Sequence, residues 1–253
     1  MGIRAVIFDL DHTLYNFMDC HERADHAVGQ YVEDHFGIGY DSYHQKVVAA
    51  MRKTEEKIGM INASSHSRTL RYQTFLEEIG APAIDHAYPM RQLYWNSFYD
   101  QMILEPSVER TLAALQETGA RILIATDMTC GVQLEKIRIL GISRYLDFLV
   151  TSEEAGEEKP GKRILDLCVK KAGVPKEECV FVGDHPKKDV LGPMAYGMQG
   201  VWCRHFDPER FMRSFGITVD ESMTEGISYR LERFEDCVDE NGKLKSLGGL
   251  QIQ

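Results

Sequence analysis

Apolar residues begin this chain as an unbroken run, continue at helical spacing, and end in an alternation of the two patterns. The run Ala5-Val6-Ile7-Phe8 has no polar break and stops at Asp9, as expected of a strand buried on both faces. From about Tyr15 to about Leu104, apolar positions recur at mixed three- and four-residue spacing. Ala24 to His35, Ser42 to Ile58 and Ser67 to Ile79 are examples, and they predict helices. Gly37-Ile38-Gly39 and Gly80-Ala81-Pro82 punctuate them, and Met102-Ile103-Leu104 is too short to count as a strand. From Pro106 onward, helices are predicted over Ser107–Thr118, Val132–Leu140, Lys162–Ala172 and Val190–Tyr196. Strands are predicted over Arg121–Thr126, Phe148–Thr151, Cys179–Val182 and Gly200–Cys203, with a last one over Ile227–Leu231 near the sheet edge. Gly119, Gly141 and Gly173 each close a helix,.

Strands alternating with amphipathic helices imply a parallel sheet with helices on both faces. The predicted fold class is therefore α/β, a Rossmann-like, doubly wound parallel sheet. Its core is discontinuous, residues 1–15 and 105–253, and an all-helical cap is inserted at 16–104. The stretch from Gly242 to Gln253 is predicted to fray,.

Composition narrows the function. Thirty-nine acidic against 29 basic residues give a formal charge of −10. That is a poor electrostatic basis for nucleic-acid binding and argues against a membrane-surface role. No stretch approaches the ~18 apolar residues a membrane helix needs. The six cysteines are scattered without a CxxC pair, so they read as reduced thiols rather than a zinc site. No secretory signal is evident, and a soluble, cytoplasmic protein is the expectation.

The candidate chemistry lies at the carboxyl ends of strands, where open parallel sheets bind ligands. Asp9 and Asp11 follow the first strand. Thr126-Asp127 ends the second, Lys159-Pro160 lies in the loop after the third, and Gly183-Asp184 ends the fourth with Asp189 five residues on. Buried carboxylates at a strand end are costly unless a cation neutralises them. Clustered carboxylates suit a hard divalent ion; a hydroxyl, backbone N–H groups and a lysine suit phosphate oxygens. A carboxylate held against phosphorus can form an aspartyl-phosphate, and a second one nearby can move protons.

In order, Asp9-Leu10-Asp11-His12-Thr13, Thr126, Lys159-Pro160 and Gly183-Asp184 through Asp189 resemble the four motifs of the haloacid dehalogenase-like hydrolase superfamily. The cap between the first two motifs looks like that of its small-metabolite phosphatases. The resemblance implies a Mg2+-dependent phosphomonoester hydrolase with Asp9 as nucleophile and Asp11 as general acid and base. It implies that Thr126 and Lys159 bind the phosphoryl group. It also implies that the metal is held by Asp9, the backbone carbonyl of Asp11 and Asp184, with Asp189 in or near the outer shell. Asp127 departs from the usual asparagine, glycine or serine. It is expected to offer its backbone N–H to the phosphate and turn its carboxylate away. Gly192-Pro193 departs from the usual alanine-containing helix and is expected to shift a helix start.

Rival readings use the same residues. A phosphotransferase such as a sugar-phosphate mutase would keep water from the same intermediate. A haloacid dehalogenase would lack the second aspartate, so Asp11 argues against it. A metabolite-binding regulator would have lost part of the set, which is intact. Outside the motifs, His12 reads as facing solvent or the cap. The acidic residues from Glu153 to Glu158 read as a solvated loop. Tyr88, Tyr94, Trp95, Phe98 and Tyr99 read as packing between cap and body. Arg68 and Arg71, with His66, read most simply as a solvated helix face, the other reading being a contact for a charged substrate group.

Overall fold

The computed structural model describes residues 2–59, 63–214, 218 and 221–252. The chain divides into two compact units, Met1–Asn16 with Ile103–Gln253, and Phe17–Met102. The first is built on a six-stranded, all-parallel sheet of β1 (Ala5–Phe8), β2 (Arg121–Thr126), β3 (Phe148–Thr151), β4 (Cys179–Gly183), β5 (Gln199–Cys203) and β6 (Tyr229–Leu231). Their order in the sheet is β3-β2-β1-β4-β5-β6. After β3 the chain returns past β1 to lay down β4, so the direction of winding reverses beside β1, where such sheets bind ligands. Phe8 pairs with Ile124 on one side and Val182 on the other. One residue on, Asp9 is therefore level with Ala125 and Gly183.

The second unit contains α1 (Phe17–Phe36), α2 (Tyr40–Ile58), α3 (Arg68–Glu78) and α4 (Ala83–Tyr99). The sheet unit adds α5 (Pro106–Glu117), α6 (Cys130–Leu140), α7 (Ser152–Ala155), α8 (Lys162–Ala172), α9 (Gly192–Tyr196) and α10 (Pro208–Ser214). Ala5, Ile7, Leu123, Ala125 and Val150 pack against Ile164, Leu165 and Cys168 of α8. Their neighbours along the strands, Val6, Phe8, Ile122 and Ile124, point to the opposite face and are equally buried,. That double burial explains why the central strands read as continuous apolar runs.

Several expectations need correction. Helix α1 starts at Phe17, seven residues before Ala24, because its buried face includes Phe17, Met18 and Cys20. Helical structure after β4 begins at Pro186 rather than Val190, as a π-type turn over Pro186–Leu191 running into α9. The His185 side chain caps this turn by accepting from Lys188 N. The last stretch does not fray through Ile252: Leu247 is fully buried, and Leu247 and Leu250 exchange backbone hydrogen bonds of 2.9 Å. Gln253 lies outside the described residues. Nor is the acidic run a plain solvated loop. Ser152–Ala155 forms a helical turn, Glu153 accepts from Cys130 N at 2.7 Å, and Glu158 is buried against Lys188.

Candidate active site

The turn after β1 is shaped by its own residues. Leu14 N bonds Leu10 O at 3.1 Å, and His12 takes a left-handed φ of 64°, which histidine tolerates better than most residues. His12 is buried, stacked on Phe211 at 4.5 Å between ring centroids, and so does not face solvent, the first of the two settings read from the sequence. Burial pushes its imidazole down to about 4, so it is neutral at ordinary pH.

The turn leaves Asp9 in a buried pocket. One Asp9 oxygen accepts from Lys159 Nζ, and the other accepts from Thr13 Oγ1 at 3.3 Å. The same ammonium donates to Asp189 at 2.8 Å, and Asp189 also accepts from His185 N at 3.0 Å. Thr13 Oγ1 in turn accepts from Asp184 N at 3.1 Å, while Asp184 O accepts from Trp202 Nε1 at 2.8 Å. Asp9, Asp184 and Asp189 each bring a carboxylate oxygen within 4.8 Å of the others. Burial, reinforced by Asp189 and Asp11, pushes Asp9 up to about 7 against the opposing pull of Lys159. Burial, with Asp189 and Asp9 beside it, pushes Asp184 well above the usual range. Burial alone would lower Lys159; Asp189 and Asp9 outweigh it and hold the ammonium charged.

Asp11 lies outside this trio and is held differently. Both of its oxygens accept from Lys136 Nζ at 2.7 Å, Gln133 Nε2 donates at 3.1 Å, and Tyr15 OH donates as well. Burial would raise its carboxyl, but Lys136 prevails and holds it below the ordinary value. Thr126 is buried, its hydroxyl accepting from Gln133 Nε2 at 2.6 Å. Asp127 accepts from Lys159 N at 3.0 Å and from Lys188 Nζ at 2.8 Å. Its side chain thus braces the loop that carries Lys159, whose bond to Pro160 is cis.

With this geometry in view, comparison with known proteins is decisive. A family model described as haloacid dehalogenase-like hydrolase matches residues 3–195. The chain belongs to the haloacid dehalogenase-like hydrolases. It is 34% identical to the ribulose-1,5-bisphosphate 5-phosphatase of Halopiger xanaduensis, over 81% of this chain and 84% of that one. It is 31% identical to the glyceraldehyde 3-phosphate phosphatase of Methanopyrus kandleri, over 80% and 84%. Among solved structures, a phosphatase of this superfamily from Thermococcus onnurineus superposes with a TM-score of 0.67 at 20% identity, over 92% of this chain and 95% of that one. A 2-haloacid dehalogenase from Pseudomonas syringae pv. tomato gives 0.68 at 20% identity, over 92% and 96%. At such identities the structures speak to the fold of this hydrolase alone.

The donor set of this family member fits a divalent cation. Asp184 Oδ2 is buried and has no hydrogen-bond partner among the described residues, which a native structure rarely leaves so. Three buried carboxylates against one ammonium leave two negative charges, which a divalent ion balances. The raised proton affinities of Asp9 and Asp184 reflect the same need for positive charge.

Three residues that brace this arrangement escape the sequence motifs. Gln133 and Lys136 share the buried face of α6 with Ile137 and Leu140, and both are wholly buried. Polar residues at core positions of a helix that follows a site strand were the available signal. Lys188, which joins Asp127 to Glu158, carries no sequence signal that separates it from Lys187.

Proposed function

We propose that this hydrolase is a Mg2+-dependent phosphomonoesterase working in the cytoplasm on a small phosphorylated metabolite through an aspartyl-phosphate. The observation that carries this reading is Lys159 Nζ, which bridges Asp9 and Asp189 beside a carboxylate trio suited to a divalent ion. Asp9 attacks phosphorus, and the bond from phosphorus to the leaving oxygen breaks. Asp11 gives that oxygen a proton, then takes one from the water that hydrolyses the acyl phosphate. Thr126, the backbone N–H of Asp127, and Lys159 hold the phosphoryl oxygens. Asp9, the Asp11 carbonyl and Asp184 would hold Mg2+, with Asp189 in or near the outer shell. When bound, Mg2+ offsets the repulsion between the Asp9 carboxylate and the phosphate dianion. The helical unit acts as the cap that selects the leaving group.

The names of the relatives, both phosphatases of small sugar phosphates, support the substrate class. Six free cysteines fit a reducing compartment,. Among the described residues, no helix is long and apolar enough to cross a membrane. Hydrolysis of p-nitrophenyl phosphate by wild type and Asp9→Asn, with Mg2+ and with chelator, tests the chemistry. Release of nitrophenol is expected only from the wild type with Mg2+, while the variant keeps the wild-type circular dichroism. Turnover by Asp9→Asn at near wild-type rate would refute the covalent route.

A further inference from the structure

Buried polar side chains stand at apolar helix positions in both units. Arg68 of α3, 8% exposed, is one, which overturns the reading of a solvated helix face; it donates to Tyr94 OH at 3.1 Å. Gln133 of α6 is another, and its partners are site residues of its own unit. It is wholly buried on the face that also carries Lys136, Ile137 and Leu140. That three- and four-residue spacing is the pattern of an apolar helix face, where a leucine would pack with no polar group to satisfy.

The Gln133 amide nitrogen faces three oxygens: Thr126 Oγ1 at 2.6 Å, Asp11 Oδ2 at 3.1 Å and the Asp127 carbonyl at 3.1 Å. The Asp127 carbonyl can only accept, and both Asp11 oxygens already accept from Lys136 Nζ. Turning the amide over would set Oε1 against both of them, so the place of the nitrogen is fixed. Oε1 itself is buried with no hydrogen-bond partner among the described residues. The amide is therefore held through its nitrogen.

An amide nitrogen donates and does not accept, so Thr126 Oγ1 must be the acceptor in the 2.6 Å bond,. The hydroxyl proton has to point elsewhere. Its direction here is the Asp127 carbonyl at 3.3 Å, long for an O–H···O bond and easily given up. A phosphate dianion carries no proton, so a hydroxyl binds it only by donating. A carboxylate in place of the amide would capture the Thr126 proton, whereas the amide leaves it free to turn to a phosphoryl oxygen. Donation into Oγ1 also polarises the O–H bond and makes it a better donor.

We infer that Gln133 is a positioning residue for phosphoryl binding: by donating to Thr126 Oγ1, it commits the Thr126 hydroxyl to act as a donor to the phosphoryl oxygen. This rests on the phosphatase reading above, in which Thr126 binds the phosphoryl group.

The probe is inorganic phosphate, titrated calorimetrically into the Mg2+-loaded protein. Gln133→Met keeps the side-chain length and removes the donor. It should weaken phosphate binding about threefold to tenfold, the usual worth of one hydrogen bond. In Thr126→Val, which has no hydroxyl to orient, the same substitution should change binding by less than about twofold. In Thr126→Ser, which keeps the hydroxyl, the loss should return. Gln133→Glu, nearly identical in shape, is the second variant. It presents an acceptor to Thr126, so its loss should exceed that of Gln133→Met and shrink in Thr126→Val. Wild-type affinity in both Gln133 variants would overturn the inference. So would a loss that persists in full in Thr126→Val, which would make Gln133 a merely structural residue. In either case, turnover of p-nitrophenyl phosphate by wild type would leave the phosphatase reading standing. Wild type that neither binds phosphate nor releases nitrophenol would overturn that reading, and this inference with it.

Discussion

Asp11 has to act as an acid and then as a base in the proposed cycle, and Lys136 biases it toward the second. With both carboxylate oxygens on one buried ammonium, Asp11 is ionised at neutral pH and ready to take a proton from water. In Lys136→Met the opposing cation is gone and burial, which raises the carboxyl, acts with less to oppose it. The carboxyl then titrates at higher pH, so the acidic limb of the kcat profile should move up. Turnover at neutral pH should fall about tenfold to a hundredfold, given the usual strength of a charge-assisted hydrogen bond. Lys136→Arg should recover part of the loss. Matching pH profiles for wild type and Lys136→Met would remove Lys136 from the proton-transfer step.

At the level of elements, the end of β4 sets the pocket's tolerance. A Cβ on Gly183 would lie 2.5 Å from Asp189 Cβ and Oδ2. Asp189 has little room to retreat, because it is buried and bonded to Lys159 and His185 N. Gly183→Ala is therefore expected to cost about 1–3 kcal/mol by overpacking. It should also lower kcat on p-nitrophenyl phosphate by roughly tenfold through the displaced Lys159. Urea melts and initial rates check both; a variant with wild-type stability would mean that β4 and the following turn part easily. The sequence makes β1, β2 and β4 legible for a physical reason, since strands buried on both faces must be apolar throughout. Strand ends and the order of the motifs then locate Asp9, Thr126, Lys159 and Asp184. Helix α1 is less legible because its inward side includes His21 and Asp25, polar groups that bond Tyr94, Tyr40, Tyr43 and His44 of other helices. The same limit hides Lys136 and Lys188, whose partners are 125 and 61 residues away along the chain. Tyr88 shows the opposite error: at 56% exposed it stands outside the aromatic cluster, while Tyr94, Trp95 and Phe98 are packed within the helical unit.

For the whole molecule, these buried polar groups tie stability to pH. His21 in the helical unit and His12 in the sheet unit are held neutral by burial, at about 3 and about 4 against an ordinary value of 6.5. A group whose folded proton affinity is depressed takes up protons more readily when unfolded, so stability is lost as pH falls below 6.5. Asp25 behaves differently: burial would raise it, but His21 and the hydrogen bonds from His44 and Tyr40 hold it below 3.8, so its contribution is lost only at more acidic pH. Asp9, at about 7, and Asp184, also raised, work the other way in the metal-free protein, because a raised carboxyl takes up protons more readily when folded; the histidine contribution is therefore read as a difference between variants,. For His21, which is partly screened by solvent at its edge, the loss should reach roughly 1–2 kcal/mol at pH 5. From pH 7.5 through 6 to 5, the melting temperature of wild type should fall relative to that of His21→Gln,. A difference between the two proteins that stays constant from pH 7.5 to 5 would mean that the His21 imidazole exchanges protons freely in the folded state. The buried environment assigned to His21 would then be wrong.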